Sequence, residues 1–132
     1  MELETIIKLI TAGIAEAAVF IWGQADKWLY ALIVMVILDY ISGVIAAAVR
    51  RQLSCTTGFT GILKKVLFLI VAGIAHVADN LLGMGGIGRT AIVAFLIANE
   101  GMSIIENCAS AGVRLPPMLT RLFKQISAES KK

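Results

Sequence analysis

Apolar residues run through this chain in long stretches broken by short polar connections. Four stretches stand out, at residues 6–22, 28–49, 66–82 and 90–109. None alternates apolar with polar positions as a half-buried strand does, so each predicts a helix. At 1.5 Å per residue the second is about 33 Å long, the third about 25 Å and the fourth about 30 Å. A hydrocarbon core is about 30 Å thick. These three can cross it, the third with extension back through Ile62 and Leu63. Lipid offers the backbone no hydrogen bonds, so each segment must pair its own, as a helix does.

The first stretch has a different pattern. At 100° per residue, Leu3, Ile6, Ile7, Ile10, Ile14, Ala17 and Ile21 share one face, with Glu4, Lys8, Thr11 and Glu16 opposite. That is an amphipathic helix. It can cross the membrane with its polar face in a bundle or pore, or lie along the interface. Glu4 and Lys8 are four residues apart and can pair in either place.

Composition agrees with the pattern. The chain has 132 residues, 58% of them hydrophobic and 16% charged. A soluble domain has about 45–50% and about 25%. The expectation is an all-α membrane protein of three or four transmembrane helices, built into a homo-oligomeric bundle or pore. Residues 1–27 form an amphipathic or first transmembrane helix, 28–110 the membrane core, and 111–132 a basic cytoplasmic tail. One chain this short encloses no large cavity. The acidic start, MELET, has no basic region or cleavage site, so no signal peptide is expected. Cys55 and Cys108 stand apart, without a CxxC pattern, and read as reduced thiols.

Charge orients the helices. Arg50, Arg51, Lys64 and Lys65 crowd the connection 50–65, which has no acid, and Arg114, Arg121, Lys124, Lys131 and Lys132 follow Ala111. The opposite connections offer only Lys27 and Arg89. By the positive-inside rule the connection 50–65 and the C-terminus are cytoplasmic. The N-terminus is cytoplasmic too if the first stretch crosses, and outside if it does not. Pro116–Pro117 ends the preceding helix or marks a turn. Beyond it, Met118, Leu119, Leu122, Phe123 and Ile126 form an apolar stripe beside Arg121 and Lys124, which predicts a short basic amphipathic helix on an anionic leaflet.

The candidate chemistry lies inside the spans. Asp39, Asp79 and Glu100 are acids within apolar segments. A charge at the bilayer centre costs about 2.5–3.5 kcal/mol on insertion scales, so such groups are buried against protein or water. Beside Asp39, the pairs Ser42–Ala46 and Gly43–Ala47 are spaced for close helix contact in lipid. Asp39 reads either as a residue that holds helices together or as the lining of a wet path. His76 and Asp79, three apart, read as a structural pair near the outer end or as a proton relay. In the fourth stretch Asn99, Ser103 and Glu106 share a face flanked by Glu100 and Asn107, and either line water or bond to the Asp39 and His76 faces. GMGGIGR, residues 83–89, lacks the GK[ST] ending of a phosphate loop and reads as a turn. No catalytic residue, metal site or cofactor is expected: one histidine and no thiolate cluster make zinc a poor fit.

Taken in order, Asp39, Tyr40 and Gly43, then Gly61, Lys64 and Lys65, then Ala75, His76 and Asp79, then Ala98 to Asn107 form a specific series. Over residues 38–119 it resembles the bacteriophage holin family of toxin-secretion and phage-lysis holins. The resemblance implies a protein without catalytic activity or cofactor that inserts in the bacterial inner membrane, self-associates and permeabilises it, so that an endolysin or a secreted toxin can leave. The partners implied are copies of itself and the lipid bilayer with its anionic lipids, and no nucleic acid. A small ion-coupled transporter or channel, and a regulatory antiholin, are the alternatives.

Overall fold

The computed structural model describes residues 2–129. Its order is α1 (Leu3–Trp22), α2 (Lys27–Val49), α3 (Cys55–Leu82), α4 (Ile87–Ser110) and α5 (Pro117–Glu129). The protein is all-helical among these residues, and α1 to α4 are each long and apolar enough to cross a membrane. Lys131 and Lys132, counted above among the tail cations, lie outside the described residues.

The packing is inverted relative to a water-soluble bundle. Asp39, Asp79, Arg89 and Glu100 are buried, while Ile14, Phe20, Ile37, Ile45, Leu67, Ile74 and Leu81 are exposed. In water such a surface would drive aggregation. In lipid it is the expected exterior, and the charges occupy the places lipid does not reach. This is a multi-pass membrane protein.

Helix α4 is the centre, and its most extensive contact is with α2. Leu32, Ala72, Val93, Leu96 and Ile97 form the apolar core where α2, α3 and α4 meet. The small residues of α2 serve this contact: Ala46 is buried, and a Cβ on Gly43 would lie 3.5 Å from Asn107 Nδ2.

One boundary and two placements go beyond or differ from the sequence expectation. Helix α3 begins at Cys55, well before Val66, because Ser54 caps it: its hydroxyl accepts from Thr57 N (3.4 Å). At 28 residues it spans about 42 Å, so the connection after α2 shrinks to residues 50–54. Lys64 and Lys65 are therefore helical. Helix α1 meets the bundle only near its C-terminal end, where the Trp22 indole donates to Leu69 O (2.7 Å); no residue of α1 is buried. Helix α5 lies along α4 instead of standing apart on a membrane surface.

Candidate functional site

Two charged clusters occupy different places in the fold. The first lies midway along the spans. Asp39 from α2 and Glu100 from α4 both point at Lys65 of α3. Lys65 Nζ pairs with Asp39 Oδ2 and lies 2.6 Å from Glu100 Oε2. The ammonium also sits 5.4 Å from the centre of the Phe68 ring. Asn107 of α4 completes the Asp39 side: its Nδ2 donates to Asp39 Oδ1 (3.1 Å) and to Ser42 Oγ (2.9 Å). Ser42 Oγ in turn donates to Asp39 O (3.0 Å).

The cluster holds two carboxylates against one ammonium. Glu100 is fully buried, and its Oε1 has no hydrogen-bond partner among the described residues. An unpaired buried polar atom costs about 1–3 kcal/mol, more when charged. This is the polar atom in the bundle with most to gain from a new partner. A cavity of about 310 Å³ opens beside the cluster, walled by Asp39, Gly43, Lys65, Ser103 and Asn107 and reaching Gln52 and Ser54 in the α2–α3 connection.

The second cluster ties the helix ends at the opposite side of the bundle. Asp79 Oδ1 accepts from Gly86 N (2.7 Å) and its Oδ2 from Arg89 N (2.8 Å), so an α3 carboxylate caps the first turn of α4. The positive end of the helix dipole favours an anion there. The buried Arg89 side chain turns to the α1–α2 connection. Its Nε donates to Trp22 O (2.9 Å) and its Nη1 to Asp26 Oδ2 (2.7 Å). The guanidinium beside Asp26 holds that carboxyl below its ordinary range. Asp26 also caps α2, accepting from Leu29 N (2.9 Å). The GMGGIGR turn presents the amides that Asp79 binds.

The predicted site residues sort between these places. Asp39, Ser42 and Glu100 converge, and Gly43, Ala46 and Ala47 lie on their side of α2. Asp79 and His76 do not join them. Nor is His76 hydrogen-bonded to Asp79: its Nε2 meets Asn80 Nδ2 (3.1 Å), and its ring packs on Gly23. A Cβ on Gly23 would lie 2.7 Å from that ring, and Gly23 has φ +81°. Asn99 and Glu106 are exposed on α4, and Ser103 is half-buried. Lys65 is not a loop cation, because the early start of α3 carries it into the bundle. Arg50 stays near the α2 end and donates to Ser110 Oγ (3.0 Å), while Arg51, Lys64, Arg121 and Lys124 are exposed. On α1, Glu4 and Lys8 pair at 2.6 Å, and Glu16 is exposed.

Lys65 and Arg89 are the residues whose partners the sequence reading missed, whereas Asn107 makes the bond to the Asp39 face that was one of the two alternatives for α4. A signal existed for the first. Lys65, Ala72 and Asp79 are seven apart, which keeps them on one face of a helix, and the latter two are buried.

The model of the bacteriophage holin family matches residues 16–128. The chain belongs to that family. Among its relatives, one from Clostridium perfringens, described as an uncharacterised 14.9 kDa protein, is 41% identical over 95% of this chain and 98% of its own length. An uncharacterised protein of Listeria innocua is 35% identical, over 97% and 91%. A protein of Bacillus phage phi105, named a probable holin, is 33% identical, over 86% of this chain and 84% of its own length. No solved structure matches the chain. Both charged clusters fall inside the matched region.

Proposed function

We propose that this chain acts as a holin: copies assemble in the bacterial cytoplasmic membrane and open it, releasing an endolysin or a secreted toxin. It works without catalysis or cofactor. The observation that carries the reading is the polar stripe left uncovered on α4. Asn99 is exposed at mid-span, and Glu106 follows two turns later on the same face. Facing lipid, these groups are unsatisfied; facing another copy or water, they are paired. The name of the phage relative supports the same function.

In this reading α1 to α4 all cross. The even number of spans puts both termini on one side, which the basic residues at the α2–α3 connection and in the tail make cytoplasmic. The cluster around Lys65 is then a contact whose partners change when the membrane opens, with Glu100 Oε1 the first group to gain one.

The test is inducible expression in a bacterium with a folded cytoplasmic enzyme as reporter. A holin releases the enzyme abruptly after a delay. A transporter or small channel passes ions and retains it, and that result would overturn the proposal. A chain that releases nothing and delays lysis by a co-expressed holin would be an antiholin instead.

A further inference from the structure

The docked position of α5 conflicts with a lipid surround. Phe123 fits against Gly101 so closely that a Cβ at 101 would lie 2.4 Å from its ring. Thr120 shares a cavity wall with Ile105 and Ala109, and Ile126 shares another with Thr90 and Ala94. Helix α5 thus runs back along α4 from its C-terminal end towards mid-span. Its other face carries Arg121, Lys124 and Gln125, all exposed. With α4 across a bilayer, these groups point into hydrocarbon, where cations are strongly disfavoured. On an anionic leaflet the same residues meet lipid phosphates and the apolar stripe meets acyl chains.

What α5 covers is suited to another helix. Ala94, Gly101 and Ile105 lie along one face of α4, with the exposed Ala109 beyond them near its end, and Gly101 already accepts the aromatic side chain of an antiparallel helix. We infer that α5 is a removable cover over an interaction surface, and that the occupant replacing it is the same α4 face of a second copy. Resting on the holin reading, this makes release of α5 to the anionic leaflet the step that frees the surface for pairing. Until then the chain carries its own competitor for that contact.

Cys108, two turns beyond Gly101 on the same face and half-buried, is a native reporter. With Cys55 replaced by serine, oxidative cross-linking of Cys108 is measured in membranes from cells expressing the full chain, Phe123→Ala, a chain ending at residue 116, and Gly101→Leu. The expected result is a several-fold larger disulfide-linked dimer fraction for Phe123→Ala and the shortened chain. Gly101→Leu should expose Arg121 and Lys124 to trypsin without that gain, since its side chain expels α5 and also blocks the partner helix. Equal dimer fractions in Phe123→Ala and the full chain, at equal membrane amounts, would overturn the inference. Failure of the full chain to release a cytoplasmic enzyme would instead overturn the holin reading and leave the cross-linking result to judge the cover by itself.

Discussion

The two charged clusters each set two carboxylates about one cation and are satisfied to different degrees. At the helix ends, Asp79 has both oxygens on backbone amides, and Arg89 binds two connections at once. Midway along the spans, Asp39 and Glu100 share a single ammonium, and one glutamate oxygen has no partner among the described residues. The first arrangement ties the end of α1 and the start of α2 to the end of α3 and the start of α4. The second holds three helices together while keeping an incentive to rearrange. Burial of charge therefore does two jobs here, and hydrogen-bond completeness distinguishes them.

Removing the cation should separate the clusters most sharply. Lys65→Met leaves two buried carboxylates facing each other, and breaking a buried pair costs about 3–5 kcal/mol. The variant should be nearly absent from membranes by immunoblot, and adding Asp39→Asn with Glu100→Gln should restore it. Equal amounts of Lys65→Met and the parent would remove Lys65 from its place among the acids.

Next in size is Arg89→Leu. It leaves Trp22 O and Asp26 Oδ2 without the guanidinium donor, at about 1–3 kcal/mol for an unmet hydrogen bond. Protease cleavage in the connection 23–26 should rise, with the delay before lysis changed only as far as the membrane amount falls. A changed delay at unchanged amount would make this cluster responsive too.

A smaller effect is expected from Asn99→Leu. Side-chain hydrogen bonds between helices in membranes contribute about 0.6–2 kcal/mol, so self-association should weaken by roughly three- to thirtyfold and lysis should come later. Unaltered self-association would show that the exposed α4 stripe meets no partner copy.

Smallest is the pH response of the Arg89–Asp26 contact. Arg89 lowers the folded-state pKa of Asp26 below its ordinary 3.8. The contact therefore contributes fully above about pH 4 and is lost as pH falls through the lowered value. Asp26 is partly exposed, so solvent screening keeps the effect small. Amide exchange at Leu29 should rise in that acidic window and stay flat between pH 5 and 8. A rise near neutrality would assign the titration to another group.

The comparison also explains what the sequence could reveal. Hydropathy located α2 and α4 because their acids are isolated within long apolar runs. It also singled out Asp39 and Glu100, which do meet. It started α3 too late because a segmentation by hydropathy stops at charge, and the charge at its edge, Lys65, is a bundle residue with a structural partner. Asp79 looked equivalent to the other acids because composition does not record depth: it lies three residues before the α3 end, next to the amides of the following turn. Arg89 was hidden for the same reason. Its guanidinium reaches the α1–α2 connection over 60 residues away in sequence, and no local pattern encodes that contact.

The most direct test sets one residue from each cluster side by side in an inducible lysis assay, with the membrane amount measured in every culture. Glu100→Leu removes the unpaired oxygen and leaves Lys65 matched one-to-one with Asp39, so it should insert as well as the parent and shift the onset of lysis. Arg89→Leu, at matched membrane amount, should keep the parental onset. An unchanged onset for Glu100→Leu, and likewise for Asp39→Leu, would contradict the claim that the mid-span cluster is the contact that changes when the membrane opens.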